Sequence, residues 1–176
     1  MSDISGITYQ AALPLRWQRQ AAPSDEALAV ARHANMTLLQ ALSTLESASD
    51  KDHDADQPAA KSIERLEAKL DIALSLLSKL VAQHAETMPV RPVTMGVHHI
   101  EWREETADLD PGTTVLIDLH LNPKLPDPLR LYARIVSVRS GACTAEFLDE
   151  DEELEEWITR TLFRYHRRML QARHHV

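Results

Sequence analysis

The sequence has few of the residues on which covalent, redox or phosphate chemistry usually depends. Among 176 residues there is one cysteine, Cys143, so an internal disulfide is excluded and a reducing compartment is expected. Only four glycines occur, and none lies in a GxGxxG or GxxxxGK phosphate loop. No apolar run approaches the roughly 20 residues that cross a bilayer, and the N-terminus lacks a secretory signal pattern. We therefore expect a cytoplasmic protein without a membrane span.

Positive charge is also scarce. The chain carries 19 basic and 27 acidic residues, a formal net charge of −8, and neither half is basic. A surface of this sign repels phosphates, so no nucleic-acid partner is expected. Hydrophobic residues make up 44% of the chain, which is ordinary for a soluble protein that buries a core.

No catalytic or metal constellation can be assembled from the residues that are present. Cys143 follows a turn and has no neighbouring base or helix start to lower its pKa. His98 and His99 are adjacent on a predicted strand and therefore point to opposite faces, which prevents them from sharing an ion. The alternating aspartates of 50–56 lack the glycine and the glutamate of a calcium loop. We expect neither enzymatic activity nor a bound metal.

The first half is rich in alanine and leucine and predicts helices. Residues 7–17 form a candidate edge strand, broken by Pro14. A helix is predicted to begin at Ser24, a capping residue followed by two acids, and a loop is predicted over 47–60. Asn35 occupies an a-like position of the first helix, where a polar residue can fix coiled-coil register.

The second helix carries the clearest periodic pattern in the chain. Six apolar residues fill consecutive a and d positions of three heptads, and two more fall at e positions. The a and d residues are Ile63, Leu66, Leu70, Ala73, Leu77 and Leu80, and the e residues are Leu74 and Val81. This apolar face is wider than the stripe that a helix hairpin buries. We therefore predict a homo-oligomer in which these residues mediate assembly. Leucine at most a and d positions favours a tetramer.

The second half consists of short strand patterns separated by turn residues. Strands are predicted at 90–95, 97–103, 113–121, 129–139 and 144–148. Their even spacing favours an antiparallel sheet that curls into a small barrel. A final amphipathic helix begins with four glutamates between 152 and 156 and is expected to pack on the barrel.

This half resembles the PilZ domain family. The resemblance rests on Pro111-Gly112-Thr113, on the stretches 125–131, 133–138 and 145–149, and on the closing helix segment 156–168. An N-terminal strand followed by a heptad-bearing helix pair is similar to the atypical, tetrameric branch of that family. The fold expected is therefore α+β: a small antiparallel PilZ-like β-barrel, an inserted long helix pair and a C-terminal helix. The resemblance implies that the strand at 7–17 completes the barrel. We divide the chain into an N-terminal strand segment of the barrel (1–22), a helical insertion with heptads (23–88) and the barrel with its last helix (89–176).

PilZ domains are receptors for cyclic di-GMP, and the resemblance implies two binding motifs. In the RxxxR motif, two guanidinium groups hold phosphate and stack on guanine. Arg16 and Arg19 are the weak candidates here, because Gln20 stands four residues after Arg16. In the (D/N)xSxxG motif, Thr94, Gly96 and His99 replace the three defining residues. We predict that cyclic di-GMP is not bound through these usual motifs and that the protein has no cofactor.

The function predicted is non-enzymatic signalling or scaffolding through contact with an unidentified signalling or pilus-related protein. The resemblance implies control of motility, type IV pili or virulence. One alternative is a genuine cyclic di-GMP receptor with an unconventional site, using Arg16 and Arg19 with Trp17 stacking on a base. Another is a membrane-proximal adaptor recruited through the arginines near the C-terminus.

Overall fold

The computed structural model describes residues 7–49, 66, 68–70, 72–77, 88–104, 109–122, 125 and 127–173. Within these ranges it contains six strands and two long helices, together with a helical stretch that we call the heptad segment, the described residues of 66–77. The elements, in chain order, are β1 (Tyr9–Arg19), α1 (Asp25–Ser49), β2 (Val90–Met95), β3 (His99–Arg103), β4 (Thr114–Leu119), β5 (Leu129–Arg139), β6 (Ala142–Phe147) and α2 (Glu152–Arg173).

The six strands form a closed antiparallel barrel in the order β1-β2-β3-β6-β5-β4, as the alternating pattern predicts. β1 closes it by pairing with β2 over its first half and with β4 over its second half. The interpretation of this segment as an edge strand is therefore wrong, because a closed barrel leaves no free edge. The expectation from the family resemblance, that this strand completes the barrel, is confirmed. Pro14 is tolerated because it lies where β1 changes partner, and its carbonyl accepts a hydrogen bond from the His120 amide at 3.0 Å.

Element bounds follow the sequence pattern closely. The predicted bounds of β2 and β5 are confirmed, and those of the other strands shift by at most two residues. Ser140 and Gly141 join β5 to β6 with positive φ angles of 50° and 76°, a backbone that matches the right-handed twist of the hairpin. The loop predicted from Ser47 begins too early, because α1 continues to Ser49; the rest of that loop lies outside the described residues.

The core fills the barrel and extends under the helices. Inward side chains such as Leu15, Ile100, Trp102 and Ile117 are buried. α1 and α2 pack on each other and on the barrel through apolar stripes, which are Leu38, Leu39 and Leu42 on α1 and Leu154, Ile158 and Leu162 on α2. The predicted cap of α1 is confirmed, since Ser24 Oγ accepts from the Ala27 amide at 3.2 Å.

Asn35 attaches α1 to the barrel instead of setting a coiled-coil register. Its side chain is 2% exposed. Its Nδ2 donates to the carbonyl of Arg130 at 2.6 Å, and its Oδ1 accepts from the Arg130 amide at 2.8 Å. Arg130 lies in β5 before the stretch that pairs with β6, so the Asn35 amide replaces the missing strand partner and satisfies both backbone groups.

Arg32 forms a second attachment one turn earlier on α1. Its guanidinium binds Asp149 through both oxygens, with Nη2–Oδ1 at 2.6 Å and Nε–Oδ2 at 3.0 Å, and its Nη1 lies 3.2 Å from Asp151 Oδ2. The hydrogen bonds that the Arg32 guanidinium donates to Asp149 raise the pKa of Arg32. Asp151 also caps α2, accepting from the amides of Glu153 and Leu154 at 3.1 Å. The acidic start of α2 is therefore partly an internal docking point, not only a solvated helix end.

We predict that Asn35→Leu lowers the free energy of unfolding by about 2–6 kcal/mol, because it leaves one covered amide and one covered carbonyl without a hydrogen-bond partner at about 1–3 kcal/mol each. Urea denaturation at fixed protein concentration measures this. Gln40→Leu, at an exposed position of the same helix, is the control and should change stability by less than about 0.5 kcal/mol. A changed assembly mass with unchanged stability in Asn35→Leu would instead favour the register role.

Candidate ligand and assembly surfaces

The three positions that correspond to the (D/N)xSxxG motif lie together around the β2–β3 turn. Thr94 pairs with Glu101 across the two strands, and the Gly96 amide donates to the His99 carbonyl at 2.9 Å. The His99 ring packs directly over Gly96, and a Cβ added to Gly96 would overlap ring atoms Cε1, Nδ1 and Nε2. Gly96 does not have a positive φ, so glycine is required here by space and not by backbone conformation.

The His99 side chain is held in a setting that disfavours its charged form. Burial lowers its pKa, and neighbouring His98 lowers it further, although Glu101 and Glu146 act in the opposite sense. Its Nε2 is buried and has no hydrogen-bond partner among the described residues. Near neutral pH the ring is therefore uncharged, and it offers no cation to a phosphate.

The outer surface beside this turn is an open groove of about 950 Å³. Residues from β3, β5, β6 and the start of α2 line it. We call it the acidic groove because six of its lining residues carry carboxylates, which are Glu101, Glu146, Asp149, Glu150, Glu152 and Glu155. Arg139 is the single arginine or lysine of the lining. The field in this groove repels an anionic ligand.

Arg16 belongs to a row of charges on a different face of the barrel. The three-strand register aligns Arg16, Asp118 and Arg130. Arg16 Nη2 lies 3.1 Å from Asp118 Oδ2, and Arg130 Nε lies 3.3 Å from Asp118 Oδ1. Asp118 is buried between the two guanidinium groups. Sequence reasoning missed this row, because only the strand order brings these three positions together.

The structure does not bring Arg19 and Trp17 to the side of Arg16. Arg16 and Arg19 are three residues apart on β1, so their side chains leave opposite faces of the strand. Trp17 packs against the core, and its indole Nε1 donates to Glu104 Oε2 at 3.0 Å. Arg91 Nη1 lies 2.8 Å from the same oxygen. The indole is thus engaged inside the protein instead of presented for stacking on a base.

The heptad segment presents large apolar side chains to solvent. Leu66, Leu70 and Leu77 are 66%, 58% and 55% exposed in the single chain. Ile72 and Leu76 are 61% exposed, Ala73 is exposed and Leu74 is half-buried. Ile63, Leu80 and Val81 lie outside the described residues. Monomeric proteins rarely leave so continuous an apolar stripe uncovered.

The thiol of Cys143 is not positioned as a nucleophile. Cys143 is buried in β6, and burial raises the pKa of its thiol, which keeps it protonated. In the part of the chain that the structure describes, no three His, Cys, Asp or Glu side chains converge as a metal site. No helix within the described ranges is both long enough and apolar enough to cross a bilayer.

Comparison with known proteins defines the class of this fold. The family described as "Atypical PilZ domain, cyclic di-GMP receptor" matches residues 39–174. The chain therefore belongs to the atypical PilZ domain family, as its resemblance predicts. No curated protein matches the sequence.

A solved structure extends the likeness over nearly the whole chain. It is a pathogenic protein from Xanthomonas campestris, described as a tetrameric PilZ domain self-assembled through an unusual helical bundle. The identity is 26% and the TM-score 0.75, over 96% of this chain and 92% of that one. Its match includes β1, which lies before the residues that the family covers.

The close contact between Gly96 and the His99 ring can be tested by adding a methyl group at Gly96. Gly96→Ala should lower the free energy of unfolding by about 1–3 kcal/mol, because the added methyl meets the imidazole. In a His99→Gly background the same substitution should cost less than about 1 kcal/mol. A double-mutant cycle by chemical denaturation measures both values, and an equal cost in the two backgrounds would show that the ring does not fill this space.

Proposed function

We propose that the protein is a non-enzymatic signalling or scaffold protein of the PilZ type. It assembles as a tetramer through its heptads and acts by contact with another protein. It does not bind cyclic di-GMP through the usual motifs. The exposed heptad segment, the charge of the barrel surface and the geometry around Gly96 support this function.

The observation that carries the assembly proposal is the exposed apolar stripe. Leu70 and Leu77 occupy a positions one heptad apart, and Leu66 occupies the d position before them. Each is more than half exposed in a single chain. Burying a leucine side chain contributes about 1.5–3 kcal/mol, so four copies that share one bundle gain a large driving force from this stripe.

The proposed assembly contains four chains. The similar Xanthomonas campestris protein is described as a tetramer built by a helical bundle. The heptads of this chain have leucine at most a and d positions and apolar flanks at e, a pattern that favours more than two strands. A tetrameric bundle would use Ile63, Leu80 and Val81 in the same way. It would make residues 23–88 the assembly unit and display four barrels around it.

Cyclic di-GMP would meet three obstacles at the positions of the usual motifs. The neighbouring groove contains six carboxylates, which oppose a dianion. The imidazole of His99 occupies the space over Gly96. Arg16 is already paired with Asp118, and no arginine follows it at the RxxxR spacing. A protein with these features transmits signals by protein contact more readily than by binding this nucleotide.

The biological setting follows from the family. PilZ proteins act in motility, type IV pilus and virulence control, so we propose an unidentified signalling or pilus-related protein as partner and the cytoplasm as location. Displaying several barrels on one bundle raises apparent affinity for a clustered partner without any catalysis.

A second candidate function is a genuine cyclic di-GMP receptor with an unconventional site. It is favoured by the family description, which names this receptor role. The nucleotide would have to displace Asp118 from Arg16 and Arg130. Isothermal titration separates the two candidates, since a scaffold of the proposed kind produces no binding heat with the nucleotide.

We predict that Leu70→Asp combined with Leu77→Asp reduces the assembly to monomers or causes aggregation, because each places an unpaired charge in the seam. Analytical ultracentrifugation measures the mass. Ala68→Asp combined with Ser75→Asp adds the same two charges at exposed f positions of the same heptad segment. This control should keep the wild-type mass, and an unchanged mass in the leucine variant would contradict the heptad assembly.

A third substitution set tests the nucleotide proposal. Thr94→Asp, Gly96→Ser and His99→Gly together restore the (D/N)xSxxG residues but leave the arginine pair absent. We expect no tight binding of cyclic di-GMP by titration calorimetry, because the phosphates still lack their guanidinium partners. Nanomolar binding by this triple variant would show that the three residues alone had abolished the site.

A further inference from the structure

We propose that His99 is a pH-sensitive switch of the β2–β3 turn. In its uncharged form the ring covers Gly96, and in acid the protonated ring leaves this space and turns toward the carboxylates of Glu101 and Glu146. The switch goes beyond the function proposed above, because it operates in a single chain without a partner. The packing of the ring, the environment of its Nε2 atom and the charges around it support this switch.

The His99 ring is the cover of one side of Gly96. Gly96 is buried and His99 is half-buried. The three atoms nearest to a Cβ built on Gly96 all belong to this ring, namely Cε1, Nδ1 and Nε2. The ring therefore lies directly against the glycine backbone, and its position decides whether this part of the turn is covered.

The Nε2 atom of His99 makes the packed position unfavourable for a charged ring. It is buried and has no hydrogen-bond partner among the described residues. Both ring nitrogens are donors in an imidazolium, so a proton added to the packed ring would leave a charged N–H group without an acceptor. Burying such a group costs free energy, whereas water or a carboxylate satisfies it. Protonation therefore favours a ring that has left the space over Gly96.

Two carboxylates lie where a displaced ring can reach them. Glu146 is exposed and lies opposite His99 in the β3–β6 pair. Glu101 follows His99 by two residues on the same face of β3, and its Oε2 accepts from Thr144 Oγ1 at 3.5 Å. Both carboxylates favour the charged form of His99. A ring displaced toward them exchanges a buried, unsatisfied nitrogen for an ion pair.

The remaining groups that face this region come from the turn and from three further elements. On the turn, His98 disfavours a charge on His99, and its Nδ1 lies 3.4 Å from Glu155 Oε1 on α2. β2 presents Thr94, which is uncharged and pairs with Glu101. The other charged groups are Asp149, Glu150 and Glu152 around the start of α2 and Arg139 on β5, all of which line the acidic groove, and Arg134 on β5, which lies opposite Glu146.

The direction of the pH dependence follows from burial. Burial and then the neighbouring His98 lower the pKa of the packed His99 ring from its ordinary value of 6.5. A displaced ring in contact with water and carboxylates has a higher pKa than the packed ring, so it takes up a proton first as the pH falls. Its population relative to the packed ring rises by up to about tenfold for each pH unit, until the packed ring is itself protonated.

Nuclear magnetic resonance of the full chain, labelled with ¹⁵N-glycine and ¹³C-histidine, tests the switch between about pH 7.5 and about pH 5. The chain has four glycines, so the Gly96 amide is readily followed. We expect a nuclear Overhauser contact between His99 Hε1 and Gly96 Hα at the higher pH and its loss at the lower pH. The Gly96 amide shift and the His99 ring should change with one shared midpoint, below the ordinary 6.5 of histidine.

Three variants separate the switch from a general response to acid. His99→Gln removes the titrating ring and should abolish the pH dependence of the Gly96 amide. His98→Gln, at the exposed neighbouring position, is the matched control and should keep the transition with a slightly higher midpoint. Glu146→Gln removes a charge that favours the imidazolium and should lower the midpoint by about half a pH unit.

A His99 ring that titrates while its contact with Gly96 persists would overturn the proposal. A midpoint at or above the ordinary value, or a Gly96 transition that survives in His99→Gln, would do the same. Glu146 is exposed, so Glu146→Gln is expected to fold even where His99→Gln does not. An unchanged or raised midpoint in Glu146→Gln would also contradict the switch.

Discussion

Closure of the barrel by β1 is the constraint on which the rest of the structure depends. β1 ends at Arg19 and β2 begins at Val90, yet the two strands pair directly. The residues between β1 and β2 are therefore inserted between two neighbouring strands of the barrel. An insertion at this point leaves the pairing of the sheet intact. The conformational entropy lost when the ends of this long insertion are brought together is modest, because that loss rises only slowly with the length of the loop.

Two polar contacts then fix the direction in which α1 leaves the barrel. Asn35 supplies the backbone partner that Arg130 lacks, and Arg32 binds Asp149 and Asp151 at the junction of β6 with α2. Apolar burial of Leu39 and Leu42 supplies driving force without a direction, whereas these contacts have defined geometry. The same junction forms one wall of the acidic groove, so the position of the insertion and the shape of the groove are coupled through shared residues.

The sequence predicts the fold well because its signals are local. Alternation in β5, the cap at Ser24 and the turn at Ser140-Gly141 each depend on a few neighbouring residues. The role of Asn35 could not be predicted, since a polar residue on a helix face has the same pattern in a coiled coil as against a strand edge. The acidic groove and the row of Arg16, Asp118 and Arg130 depend on strand order, which brings together residues distant in sequence. The heptad pattern predicts an interface that a single chain leaves exposed.

The central claim is that the assembly forms through the heptads without help from the nucleotide. Light scattering coupled to size exclusion, run on the wild-type chain with and without cyclic di-GMP, tests it most directly. The account predicts the mass of four 19.9 kDa chains in both runs. A monomer, or a mass that changes when the nucleotide is added, would contradict it.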